Sequence, residues 1–110
     1  MKLFPSLQKR YTKERFTAVQ AQRLAQEIAF GPIVFQVSRL MLKFGIFRLL
    51  SDNREGLSLE QISQNTGLSK YATQVLLEAS LTIGTVLVKD DQYILAKAGW
   101  FLLNDEKTAL

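Results

Sequence analysis

The chain has 110 residues and a mass of 12.5 kDa, room for one domain with one modest hydrophobic core. It contains no cysteine and no histidine, which excludes disulfides, thiolate chemistry, and the commonest general base and metal ligand. Its six glycines are never closer than eleven positions, so no glycine-rich phosphate loop can be written; no catalytic, cofactor-binding or metal residue is assigned, and the chain by itself is read as non-enzymatic.

The net charge of +4 is unevenly spread. Residues 1–23 carry six cations against Glu14 alone, whereas residues 51–110 carry five cations against eight anions. No apolar run followed by a small-residue cleavage site opens the chain, so no signal peptide is read and the expected location is cytoplasmic. Ile33–Leu50 is apolar at twelve of eighteen positions, but Arg39, Lys43 and Arg48 interrupt it. Each costs about 2.5–3.5 kcal/mol at a bilayer centre, so a membrane span is not expected.

Residues 1–16 mix charged with aromatic and apolar side chains without a clean period and read as a basic N-terminal arm. From 17 to 30, Ala21, Leu24, Ala25 and Ile28 recur at helical spacing. Gly31-Pro32 is expected to end that helix, because glycine permits a left-handed cap and proline cannot continue the ladder. A second helix is expected over 33–50. Gln36, Arg39 and Lys43 fall in one narrow sector of it, and the remainder is almost wholly apolar. A domain of this size has little protein with which to cover such a surface. Part of it, with part of the preceding helix, is therefore expected to pack on a second copy. The candidate interface residues are Leu24, Ile28, Phe35, Leu42, Phe44 and Phe47.

A turn-rich linker at 51–56 leads to the sharpest local signal. Ser58 with Gln61 three residues on forms a capping box, and Leu57 with Ile62 a hydrophobic staple. The helix that starts at Leu59 is expected to reach about Asn65, and Thr66-Gly67-Leu68 turns the chain. Ser69 caps a following helix whose core face reads Ala72, Val75, Leu76, Ala79 and Ile83. After Gly84 the apolar period changes from 3.6 to 2: Thr85–Lys89 and Gln92–Ala96 read as strands joined by Asp90-Asp91. Ala98–Leu103 reads as a closing helix. The predicted fold is mainly α with a small β-hairpin: a winged helix-turn-helix over 57–103, preceded by two dimerisation helices and followed at 104–110 by the start of a linker.

Winged helices commonly bind DNA with the second helix in the major groove, here through Lys70, Tyr71, Thr73 and Gln74, aided by the basic arm. Three features weigh against that alternative. Residues 57–110 carry four cations against six anions, the wing tip is Asp90-Asp91, and Leu77 and Leu81 are expected on the outward face of the second helix. Trp100 and Phe101 could line a ligand pocket, although aromatics in a closing helix are more often core.

The ordered set of segments resembles a known module, the N-terminal dimerisation domain of S-adenosylmethionine-dependent O-methyltransferases. The resemblance is carried by Leu40 to Phe47-Arg48-Leu49-Leu50, by Leu57-Ser58-Leu59-Glu60-Gln61-Ile62 and by Thr66-Gly67-Leu68. It continues through Val75-Leu76-Leu77-Glu78-Ala79, Ile83-Gly84 and Tyr93-Ile94-Leu95-Ala96-Lys97-Ala98-Gly99, and covers about residues 17–103. It implies a homodimer, a catalytic Rossmann-like domain elsewhere in a parent enzyme, and S-adenosylmethionine bound there rather than by this chain. Ala96 stands where that family often has threonine, which implies a weaker cap for the last helix.

Overall fold

The computed structural model describes residues 5–105. The chain divides at the Gly31–Pro32 step into two compact units. The N-terminal unit holds a six-residue helix α1 (Pro5–Arg10) and the first part of a long helix, α2 (Ala18–Lys43). Thr17 and Gln20 start α2 by reciprocal capping. The Thr17 N–H donates to Gln20 Oε1 at 3.0 Å, and the Gln20 N–H donates to Thr17 Oγ1 at 3.2 Å. From Ala18 to Phe30 every residue is exposed, so no side chain of this stretch is buried within its unit.

The expected stop at Gly31-Pro32 is corrected: α2 runs through it to Lys43 with Pro32 inside. Proline removes one ladder hydrogen bond, the one to the Ile28 carbonyl, but Ile28 is 68% exposed and water can satisfy that oxygen. The real stop is Gly45, which takes the left-handed region at φ 75°, whereas Gly31 does not have a positive φ. A helix α3 (Ile46–Asp52) then begins directly. The predicted helices 17–30 and 33–50 are therefore redrawn as one long helix and one short one.

The C-terminal unit continues with α4 (Leu59–Thr66), α5 (Lys70–Ile83), the strands β1 (Val86–Lys89) and β2 (Gln92–Leu95), and α6 (Lys97–Asn104). The capping box is formed as read. Ser58 Oγ accepts from the Gln61 N–H at 3.2 Å, and the Ser58 N–H donates to Gln61 Oε1 at 2.9 Å. Ser69 Oγ accepts from the Ala72 N–H at 3.0 Å and caps α5. The unit's core is Met41, Ile46, Phe47, Leu50, Ile62, Leu76, Leu77 and Val86, drawn from α2, α3, α4, α5 and β1. The expected residues 106–110 of the linker lie outside the described residues, as do residues 1–4 of the arm.

The strands pair antiparallel with Val86 opposite Leu95 and Lys89 opposite Gln92, leaving a two-residue turn. Leu57 adds a bridge on the other edge: its N–H donates to the Tyr93 carbonyl at 3.1 Å, and the Tyr93 N–H donates back at 2.7 Å. The chain ahead of α4 is thereby tied to the hairpin. Asp90 and Asp91 both have positive φ, 52° and 63°, which makes a type I′ turn whose hand matches strand twist. Aspartate tolerates this conformation less well than glycine. Asp91→Gly is expected to raise stability by about 0.5–1 kcal/mol, read as a higher urea midpoint.

The face of α5 also differs from expectation. Thr73, Leu76, Leu77 and Ser80 are buried and Val75 is exposed, so the helix is rotated from the predicted core face. Leu77 is fully buried and Leu81 packs against the core, so neither forms an outward surface. The rotation is possible because Thr73 satisfies its hydroxyl on its own helix, donating to the Ser69 carbonyl at 2.8 Å. Ser80 does not: its Oγ is buried without a hydrogen-bond partner among the described residues. Ser80→Ala is expected to gain about 1 kcal/mol in urea denaturation, because it removes an unpaired buried hydroxyl. A loss of similar size would show that the hydroxyl is satisfied in solution.

Candidate functional site

The six predicted interface residues separate into three groups. Leu24 and Ile28 lie in the N-terminal unit and are exposed, at 39% and 68%. Phe35 and Phe44 lie in the C-terminal unit and are also exposed, at 46% and 37%, with the Lys43 ammonium 5.8 Å from the Phe44 ring centroid. Leu42 is half-buried against the core, and Phe47 is fully buried within it. Phe47 is thus corrected from an interface residue to a core residue. The break at Gly45 turns the chain, so that α3 sends Ile46, Phe47 and Leu50 inward.

The structure adds apolar side chains that the sequence reading did not single out. In the N-terminal unit, Val19 and Phe30 are as open as Ile28 or nearly so; in the C-terminal unit, Ile33 and Val34 accompany Phe35. Soluble monomers rarely leave this many large apolar side chains of one helix uncovered. A helical stretch shorter than about 12–15 residues is also marginal in water without tertiary packing. No side chain of the Ala18–Phe30 segment is buried within its unit, so its apolar residues are open to a covering surface. The preceding loop engages its own rings: Arg10 lies 5.5 Å from the Tyr11 ring centroid, and Arg15 lies 5.8 Å from Tyr11 and 5.4 Å from Phe16.

The alternative nucleic-acid set fares differently. Thr73 is fully buried, a correction that follows from the rotation of α5. Lys70 Nζ lies 3.1 Å from Glu60 Oε1, and Gln74 Nε2 donates to Glu78 Oε1 at 2.9 Å. Tyr71 remains open, at 78% exposed. That surface lacks the uncompensated positive charge that phosphate contacts use. Among the described residues, no group of three or more acidic side chains is gathered as a metal site, and no helix is long and apolar enough to cross a membrane.

Residues 22–93 match the Dimerisation2-like domain, a stretch that runs from the exposed half of α2 to the hairpin. The chain belongs to the Dimerisation2-like domain family. The Dimerisation2-like domain is typical of the N-terminal dimerisation region of S-adenosylmethionine-dependent methyltransferases, so the resemblance read from the sequence holds and the DNA-binding alternative has no support. Among curated proteins it is similar to an L-tyrosine C(3)-methyltransferase of Streptomyces lavendulae, 35% identical over 69 residues. That match covers 63% of this chain and 19% of the relative.

Two solved structures carry the same fold. The S-adenosylmethionine-dependent methyltransferase SibL in its apo form matches with a TM-score of 0.65 and 25% identity, covering 72% of this chain and 23% of that one. The N,N-8-amino-8-demethyl-D-riboflavin dimethyltransferase of Streptomyces davawensis matches with a TM-score of 0.64 and 26% identity, covering 82% and 26%. The Dimerisation2-like domain described here therefore spans about a quarter or less of the length of these relatives.

Proposed function

We propose that this chain forms a homodimer through exposed apolar residues of α2 and the adjoining Phe44, and that it is the self-association part of a longer S-adenosylmethionine-dependent methyltransferase. The observation that carries the first half is Ala18–Phe30, a helical stretch exposed at every residue yet carrying Val19, Leu24, Ile28 and Phe30. A second copy supplies the covering surface that its own unit lacks. Leu24, Ile28, Phe35 and Phe44 are the expected contacts from the original set, joined by Ile33 and Val34. Family membership and the three methyltransferase relatives support the second half.

Methyl transfer itself is assigned elsewhere in the parent protein. Among the described residues the only strands are an antiparallel hairpin, and no strand leads through a glycine-rich turn into a helix. The residues described do not fit S-adenosylmethionine, which a parallel strand–turn–helix cradle would hold. Sedimentation equilibrium of the 110-residue chain tests the proposal. The expected mass is twice 12.5 kDa, falling to 12.5 kDa on dilution. A monomer across the whole concentration range overturns the homodimer.

A further inference from the structure

The C-terminal unit holds a cleft of about 530 Å³ between the end of α3, β2 and the start of α6. Its volume lies within the range of about 300–1,000 Å³ usual for small-ligand sites. Leu50 of α3 and Ile94 and Leu95 of β2 give it an aliphatic side. Trp100 and Phe101 of α6 give it an aromatic side, with ring centroids 5.3 Å apart and planes at 83°. These two rings are 40% and 55% exposed, so they face the opening rather than close the core.

Among the described residues, the ionisable groups that line the cleft are Arg54 and Lys97, both cations, with no carboxylate beside them. Neither cation has an ion pair among the described residues, although Glu60 and Lys70 pair elsewhere on the same unit. Ala96, also in the lining, sits at the cap position of α6 without a side-chain hydrogen bond. The first N–H groups of α6 therefore add their partial positive charge beside Lys97. The polar part of the cleft thus favours one anionic group, and its walls favour a flat apolar body. Arginine suits a carboxylate in particular, because its two parallel N–H groups match the two oxygens.

The geometry points to a binding site for a small aromatic carboxylate, with its ring against Trp100 and Phe101 and its carboxylate between Arg54 and Lys97. The cleft uses none of the exposed residues between Ala18 and Phe35, so it stands or falls independently of the homodimer.

Trp100 is the sole tryptophan and reports occupancy without any enzymatic readout. The test titrates the 110-residue chain with phenylacetate, following Trp100 fluorescence and the amide chemical shifts of Ser51, Leu95 and Lys97. Phenylacetamide keeps the ring without the charge, and acetate keeps the charge without the ring. Phenylacetate is expected to saturate both signals with a Kd of about 1 mM, and the two controls to bind about tenfold more weakly. Arg54→Gln and Lys97→Gln, both at exposed positions, are each expected to weaken phenylacetate about tenfold. The proposal is overturned if no saturable change occurs up to about 10 mM, if phenylacetamide binds as well as phenylacetate, or if both variants keep the original affinity.

Discussion

Phe35→Asp is expected to convert the dimer to a monomer at concentrations where the unaltered chain remains paired. The ring is 46% exposed in the single chain and lies outside the core cluster, so the C-terminal unit does not need it to fold. In a dimer it would be covered. Losing that burial forfeits about 2 kcal/mol. Placing an unpaired carboxylate on the covered face costs at least about 2 kcal/mol more. Together these raise the dissociation constant by about a thousandfold for each substituted protomer, and a homodimer carries two. Dissociation should also unwind the segment 18–30, since no side chain of that stretch is buried within its unit, and far-ultraviolet circular dichroism should lose a corresponding share of helix signal. A Phe35→Asp chain that sediments as an unchanged dimer removes this face from the interface.

Phe47→Ala gives the opposite separation of effects. Phe47 is fully buried and heads the largest buried side chains of the unit, among Met41, Ile46 and Leu50. Truncating a buried phenylalanine costs about 3–5 kcal/mol, transfer and cavity terms together. Domains of this size are stable by only about 5–15 kcal/mol, so the loss takes a large share of the total. Urea denaturation at a dilution where the chain is monomeric reads this loss directly. A destabilisation below about 1 kcal/mol would contradict the burial of this ring. The two phenylalanines are twelve positions apart and were grouped together by composition; the fold gives one to the surface and the other to the core.

That contrast marks where the sequence was informative. The capping box at Ser58 and Gln61, the Ser69 cap and the hairpin around Asp90-Asp91 were legible, because each depends on residues within a few positions of one another. The equivalent box at Thr17 and Gln20 has the same form, in a stretch where the apolar pattern alone does not mark the helix start. The Gly31-Pro32 pair misled for a physical reason. Breaker residues report a local cost, and in an exposed helix water can offset the missing hydrogen bond, so the helix continues to Gly45.

The rotation of α5 was hidden by chemistry rather than by distance. Val75, Leu76 and Leu77 are consecutive, so apolar content alone allows more than one inward face. The observed face buries Thr73 and Ser80, which a hydrophobic pattern places outside. Threonine escapes that rule by bonding its own backbone; Ser80 is the exception that makes its alanine variant informative. Around 33–50 the sequence was apolar in nearly every direction, and no period could separate a face for the core from a face for a second chain.

Hydrogen exchange across a concentration series tests most directly whether a second copy covers the exposed apolar residues of α2. Peptides spanning residues 18–35 should exchange quickly at dilutions where the chain is monomeric and become protected as the dimer forms. Peptides from α4 and α5 should hold constant protection over the same range. If the chain dimerises while residues 18–35 stay unprotected at every concentration, the interface lies elsewhere and this account of α2 is wrong.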